Sequence, residues 1–83
     1  MPWFLYIVQC RDGTLYTGIT TDISRRLKEH NSKNGASYTR NKLPVKLVHQ
    51  EAIGLGRSAA LKREAAIKSL TRKEKLELIG LGY

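Results

Sequence analysis

The sequence predicts a small α+β protein in which a three-stranded antiparallel sheet is flanked by helices, in the order ββαβαα. Near the N-terminus, two short runs of aromatic and β-branched residues are separated by a turn signal, which is typical of a β-hairpin. A third such run follows Pro44, and the stretches on either side of it have apolar residues at helical spacing. With 83 residues, the chain has room for a single domain, residues 1–83.

Turn residues and capping residues set the predicted bounds of these elements. A capping residue precedes each helical pattern and can accept a hydrogen bond from its free backbone N–H groups: Thr20, Thr21 or Asp22 for the first helix, Ser58 for the second and Thr71 for the third. Thr71 and Glu74 together fit a capping box. The predicted elements are strands over Trp3–Gln9, Leu15–Thr20 and Val45–Glu51, and helices over Ile23–His30, from Ser58 to Leu70, and from Thr71 to Gly80.

The length of the first hairpin loop decides which side chains share a face of the sheet. A two-residue loop at Asp12-Gly13 would place Tyr6 and Tyr16 on opposite faces. A three-residue loop, with Gly13 at positive φ, pairs Tyr6 with Gly18 and places both tyrosines on one face. We predict the second register because it separates the side chains by type. One face then holds Leu5, Ile7, Leu15 and Ile19, and the other holds Tyr6, Tyr16, Gly18 and Thr20.

Charge is the strongest global signal. Fifteen Lys and Arg residues against seven Asp and Glu give a net charge of +8, which favours a polyanionic partner such as nucleic acid. The alternative is a charge that serves only solubility. The chain has no long apolar stretch and no signal-type N-terminus, so we expect a cytoplasmic protein without a membrane role. The single Cys10 cannot form an internal disulfide, and no Cys/His cluster has zinc spacing.

Five residues carry groups that phosphodiester hydrolysis uses, namely Tyr6, Tyr16, Arg26, His30 and Glu64. They supply a pair of hydroxyls, a fixed cation, an imidazole and a carboxylate able to bind a metal ion. Arg26 and His30 lie four residues apart and therefore share a helix face. Each also has an ordinary structural interpretation, because strand tyrosines usually pack and helix arginines are usually solvated. Arg25 is an alternative to its neighbour, and His49 is assigned no role.

Glu64 is the candidate metal ligand. It lies four residues after Ala60 and three before Ile67, so it shares a helix face with small and apolar side chains. A carboxylate directed toward the body of a protein usually has a partner, because unpaired burial is costly. Two interpretations are open: an ion pair with Arg63, Lys68 or another base, or a ligand of one Mg²⁺ or Mn²⁺ ion.

At this order and spacing, the set resembles the GIY-YIG nuclease family. Phe4-Leu5-Tyr6 stands at the first half-motif and Tyr16-Thr17-Gly18 stands at the second. The resemblance spans nearly the whole chain, and no single tripeptide carries it. It implies that the catalytic arginine is Arg26, which directly precedes the aliphatic Leu27, and it favours the metal-ligand interpretation of the glutamate.

The resemblance also implies a mechanism. Water would attack in line, activated by Tyr6 with help from His30, while Tyr16 binds phosphate or orders the water. Arg26 would stabilise the developing charge, and a divalent ion on Glu64 would assist the leaving oxygen. Which tyrosine is the base is left open, with Tyr6 favoured.

The expected activity is a divalent-metal-dependent endonuclease acting on DNA, on branched or damaged structures during repair. A non-catalytic or weakly catalytic nucleic-acid-binding module on the same fold is the rival, and a small RNA-associated protein is a third alternative. Many family members carry an asparagine about a dozen residues beyond the glutamate, and here that neighbourhood holds Leu76, which puts efficient cleavage in doubt.

No second recognition domain is visible, so we expect weak selectivity, a monomer, and a protein partner that supplies specificity. Basic side chains in the loop after the first helix and in the second helix are expected to contact phosphates. Tyr38 is expected either to stack on a base or to pack on the core. The predicted nucleic-acid contacts are Lys33, Tyr38, Arg40, Lys42, Arg57 and Arg63.

Overall fold

The computed structural model describes residues 1–32 and 42–80 and confirms the predicted fold class. The elements are β1 Trp3–Gln9, β2 Leu15–Thr20, α1 Ile23–Asn31, β3 Lys46–Gly54, α2 Arg57–Lys68 and α3 Arg72–Gly80. The strands form one antiparallel sheet in the order β2-β1-β3, so β1 is the central strand. Within the described ranges, no helix combines the length and the apolar character that crossing a bilayer requires.

The hairpin has the predicted register. Gly13 adopts φ 88°, a left-handed conformation that glycine tolerates without a Cβ clash. Tyr6 lies opposite Gly18, and Val8 lies opposite Tyr16. Because opposed residues in an antiparallel pair project to the same side, both tyrosines lie on one face of the sheet.

Each face of the sheet carries its own hydrophobic cluster. The cluster under α2 and α3 is built from the buried residues Leu5, Ile7, Ile67 and Ile79. The cluster under α1 is built from Tyr6, Val8, Cys10 and Val45, with Ile23 and Leu27 packed against it. Successive residues of β1 therefore enter opposite clusters, and the central strand is buried on both faces.

Two of the three predicted helix caps are present. The Asp22 side chain accepts a hydrogen bond from the backbone at the start of α1. The backbone N–H of Thr71 donates to Glu74, whose own N–H donates back to the Thr71 hydroxyl, which completes a capping box. The prediction for Ser58 was wrong, because α2 begins at Arg57 with Gly56 at the N-cap position, and no side chain caps it.

The third strand differs most from its prediction. It was expected over Val45–Glu51 and instead covers Lys46–Gly54. Its pairing to β1 shifts by one residue between Leu47 and His49, which leaves Val48 as an extra residue in the strand. Such a bulge interrupts strict alternation. Leu47, Val48 and His49 are accordingly all partly buried, and the strand continues until Gly54 turns the chain with a φ of 132°.

Candidate active site

The hydroxyl of Tyr6 lies at the centre of the candidate site. Its oxygen is 3.0 Å from His30 Nε2 and 3.4 Å from Arg26 Nε. Tyr6 projects from β1 toward α1, which presents the other two side chains one helical turn apart. His30 is fully buried and Tyr6 is 2% exposed. The neighbouring Arg25 is exposed, so the arginine that reaches the tyrosine is the one the resemblance indicated.

The chemistry of these groups sets the direction of the hydrogen bonds. A guanidinium can only donate, so the Tyr6 oxygen accepts from Arg26. The single phenol proton is then directed to Nε2 of His30, provided that the imidazole carries its hydrogen on Nδ1. This arrangement gives the buried hydroxyl both an acceptor and a donor, as burial requires.

Burial also sets the protonation states. Burial raises the pKa of the Tyr6 phenol above its ordinary value. The hydrogen bond from Arg26 and the positive charge of Arg26 lower this pKa, but the effect of burial is larger. Burial lowers the pKa of the His30 imidazole, and the Arg26 charge adds to that effect. At neutral pH the phenol therefore keeps its proton, and the imidazole is neutral with one nitrogen able to accept.

Tyr16 borders the same histidine from the neighbouring strand. Its ring centroid is 5.4 Å from that of His30, with the planes at 67°, an edge-to-face contact that aromatic rings favour. Tyr16 is partly exposed, whereas Tyr6 is buried. The two tyrosines thus flank one imidazole, and Tyr16 is the more accessible of the two.

Glu64 approaches this group from α2, which packs against β2 and β1. Ala60 and Ile67, on the same side of the helix, are buried as predicted. The Glu64 charge is close enough to contribute to the raised pKa of Tyr6. Its Oε2 lies 3.3 Å from Lys68 Nζ, so one of the ion pairs that the sequence left open is present.

Comparison with known proteins places the chain in a family. The family model described as the GIY-YIG catalytic domain matches residues 2–77 of the chain. This chain belongs to the GIY-YIG family.

Its relatives carry uninformative names. The UPF0213 protein DP2720 of Desulfotalea psychrophila is 59% identical over 78 residues, which cover 93% of this chain and 70% of that protein. The UPF0213 protein SAG0778 of Streptococcus agalactiae is 49% identical over 79 residues, which cover 95% of this chain and 89% of that protein.

The fold is also that of solved relatives. The NMR structure of the UPF0213 protein BH0048 from Bacillus halodurans aligns with a TM-score of 0.62 at 42% identity, over 98% of this chain and 85% of that one. The NMR structure of EF2693 from E. faecalis gives the same TM-score at 41% identity, over 99% of this chain and 88% of that one. GIY-YIG membership implies a nuclease-like function.

GIY-YIG nucleases generally use a divalent metal ion, and Glu64 is the carboxylate predicted to bind one here. In the described ranges, no group of three or more His, Cys, Asp and Glu side chains could hold a metal. A single carboxylate is nevertheless compatible with Mg²⁺, which keeps several waters and takes further ligands from substrate phosphates. Among the described residues, Glu64 is thus the one proposed ligand, and the substrate and solvent would have to complete the coordination sphere.

The predicted nucleic-acid contacts are dispersed. Lys42 Nζ is 3.5 Å from Asp12 at the hairpin turn, and the Arg57 guanidinium lies 5.8 Å from the Trp3 ring centroid. Arg63 makes two hydrogen bonds to Glu51, of 2.8 and 3.0 Å. Their roles stay predictions, as do those of Lys33, Tyr38 and Arg40, which lie outside the described residues.

Sequence reasoning missed two ion-pair partners. Glu29 Oε1 accepts from Arg26 Nη1 at 3.2 Å, so it holds the guanidinium that contacts Tyr6. Their i,i+3 spacing was the available signal. Glu51 joins Arg63 to His49, and the hydrogen bonds from Arg63 lower the pKa of the Glu51 carboxyl to about 2. The second network tethers β3 to α2, on the face of the sheet away from Tyr6.

Gly18 is required by the position of the Tyr6 ring. A Cβ added at Gly18 would lie 2.5 Å from the Tyr6 hydroxyl oxygen, well inside van der Waals contact. We expect Gly18→Ala to displace the ring, weaken the hydrogen bond to His30 and cost about 1–3 kcal/mol of stability. Thermal unfolding and the NMR resonances of the His30 ring measure these effects. Gly80→Ala is the matched control, since a Cβ there meets no atom within 4 Å; unchanged His30 resonances in Gly18→Ala would contradict the argument.

Proposed function

We propose that this protein is a divalent-metal-dependent endonuclease that hydrolyses phosphodiester bonds of DNA, acting in the cytoplasm as a monomer. The observation that carries the proposal is the hydrogen-bonded group of Tyr6, His30 and Arg26, with Tyr16 and Glu64 beside it. A binding module needs only a basic surface. A buried phenol that is hydrogen-bonded to an imidazole and a guanidinium requires desolvation of three polar groups. Such networks of titratable groups are typical of catalytic sites.

Exposure favours Tyr16 as the tyrosine that meets the attacking water. The resemblance favoured Tyr6, but its hydroxyl is held by His30 and Arg26 and is almost wholly buried. We therefore assign Tyr16 to the water and Tyr6 to positioning. Tyr6 then fixes the imidazole and the guanidinium on which the reaction depends, and it keeps its own proton. Tyr16 can take a proton from the water only after its phenol has released its own proton to solvent, which its partial exposure permits.

Arg26 would stabilise charge that develops on the phosphate. Its side chain is 27% exposed, so it can meet a ligand while two contacts, to Tyr6 and Glu29, fix its orientation. A guanidinium stays charged at any useful pH and can bind two phosphate oxygens at once. A divalent ion held by Glu64 would supply further charge for the leaving oxygen.

Branched or damaged DNA met during repair is the proposed substrate class, with RNA as an alternative. The described part of the chain forms one small domain, and the side chains predicted to contact nucleic acid are mostly basic groups suited to phosphates. Recognition would therefore follow the shape and charge of the backbone, with sequence or structure specificity supplied by a protein partner.

Nicking of supercoiled plasmid and of synthetic branched and linear DNA tests the proposal. We expect cleavage with Mg²⁺ or Mn²⁺ and none with a chelator. Binding without cleavage under every metal condition would instead favour the rival, a nucleic-acid-binding module on the same fold. The ion pair between Glu64 and Lys68 is the observation that supports that rival.

DNA affinity is expected to be mostly electrostatic. The chain carries a net charge of +8, and contact of about five or six of its basic side chains with phosphates would give a log–log salt slope on the order of −4 to −5. Titration of a labelled duplex from low to moderate salt, without metal, measures this slope. A slope near zero would show that the charge is not directed at phosphates.

A further inference from the structure

Lys68 lies between two residues of the proposed site. Its Nζ is 3.3 Å from Glu64 Oε2 and 6.0 Å from the centroid of the Tyr16 ring. The ammonium is thus close both to the carboxylate assigned to the metal and to the ring of the tyrosine assigned to the attacking water. No role for Lys68 in catalysis or binding follows from the five-residue set.

A lysine ammonium and a divalent ion compete for the same carboxylate. Both are attracted to its oxygens, and a positive charge a few ångströms from Oε2 repels a second cation that approaches it. The described residues offer no cluster of carboxylates or imidazoles to offset that repulsion. In the free protein, a metal ion at Glu64 therefore has to displace Lys68 or bind beside it at a disadvantage.

The two partners differ in their freedom to move. The Glu64 side chain is 19% exposed, whereas that of Lys68 is 52% exposed. Lysine carries its charge on a long flexible stem, so the ammonium can shift by several ångströms without a change in the helix. Displacement would thus move Lys68 and leave Glu64 in place.

We propose, on the basis of the function proposed above, that Lys68 is a further binding residue of this site and exchanges between two anions. It neutralises Glu64 in the free protein, and it contacts a phosphate of the bound nucleic acid once a divalent ion occupies Glu64. Metal and nucleic acid then bind cooperatively. The metal ion frees Lys68 from Glu64 to bind a phosphate, and a phosphate that binds Lys68 frees Glu64 to bind the metal ion. Thermodynamic linkage requires the coupling to be the same in both directions.

Lys68→Met tests the exchange, because it removes the charge and keeps the apolar stem. Lys73→Met on α3 is the matched control, with the same change in net charge at an exposed position. Mn²⁺ is titrated without DNA, and paramagnetic broadening of the amides around Glu64 is followed by NMR. We expect Lys68→Met to bind Mn²⁺ about threefold to tenfold more tightly than the wild type and the control.

The second measurement concerns nucleic acid. Affinity for a short DNA duplex is measured with and without Mg²⁺, at a temperature and time at which no cleavage occurs. In the presence of Mg²⁺, we expect the DNA affinity of Lys68→Met to be about threefold or more below that of the Lys73→Met control. We also expect Mg²⁺ to raise the DNA affinity of Lys68→Met less than it raises that of the control. Lys68→Arg, which retains the charge, should preserve the coupling.

The outcomes separate this inference from the function on which it rests. Equal Mn²⁺ affinity in the wild type and Lys68→Met, with broadening centred on Glu64 in both, would overturn the role of Lys68 and keep Glu64 as the ligand. Absence of broadening near Glu64 in every variant, with and without DNA, would overturn the metal-ligand assignment itself and the exchange with it.

Discussion

Glu64→Gln is expected to reduce DNA cleavage by about 10²-fold or more, with DNA affinity in metal-free buffer unchanged or slightly higher. The substitution removes the negative charge that a divalent ion needs while side-chain shape and helix propensity stay nearly the same. It also removes the partner of Lys68. A partly exposed i,i+4 pair contributes only about 0.3–0.5 kcal/mol, so the melting temperature should fall by no more than about 4 °C.

Nicking activity and thermal unfolding are measured on the same preparation. Glu77→Gln on α3 is the control, because it removes one negative charge from an exposed position. If Glu64 served only as the structural partner of Lys68, the substitution would lower the melting temperature and leave nicking intact. A destabilised but active protein would therefore end the metal-ligand interpretation.

Tyr16→Phe is expected to lower the cleavage rate by about 10²-fold or more, with little loss of stability. Removal of a group that takes a proton from the attacking water typically costs this much. Tyr16 is partly exposed, whereas Tyr6 is buried, so loss of the Tyr16 hydroxyl should cost less stability than loss of the Tyr6 hydroxyl. Tyr6→Phe should behave differently, because it deletes a buried hydroxyl that binds His30 and Arg26. That loss should cost about 1–2 kcal/mol and roughly 5–10 °C in melting temperature.

The pH dependence of the cleavage rate separates the two tyrosines. Rates are measured well below both melting temperatures, so that each variant is folded. Tyr16→Phe should change the shape of the profile, whereas Tyr6→Phe should lower the rate and keep the wild-type shape. The opposite pattern would return the role of base to Tyr6, which the resemblance favoured.

The hairpin and its faces could be predicted because two independent constraints agree. Gly13 permits a three-residue loop, and only that loop gathers Leu5 and Ile7 on the face opposite Tyr6. When turn chemistry and hydrophobic alternation point to one register, few alternatives remain. In β3 they did not agree, since the bulge at Val48 breaks the alternation and nothing in the local sequence marks it.

The meeting of Tyr6, Arg26 and His30 was predictable for a similar reason. A period of two in the strand and a spacing of four in the helix place these side chains on facing surfaces. The partners of the charged groups were less predictable. Arg63 was assigned to nucleic acid, but its contact with Glu51 depends on the bulge, which places Glu51 on the face of the sheet that α2 covers. A long charged side chain can form an ion pair with any of several oppositely charged groups. Which of these groups lie within reach depends on the tertiary structure, so the local sequence does not identify the partner.

Because β1 is the central strand, the candidate site should be disrupted only when the whole protein unfolds. Its backbone is hydrogen-bonded to a neighbour on each side, and such strands expose their amides to hydrogen exchange only through near-global opening. Tyr6, carried between Leu5 and Ile7, is therefore protected by nearly the full free energy of unfolding. Substitutions that weaken the packing beneath those neighbours should deplete the population of competent molecules while each surviving molecule turns over at an unchanged rate.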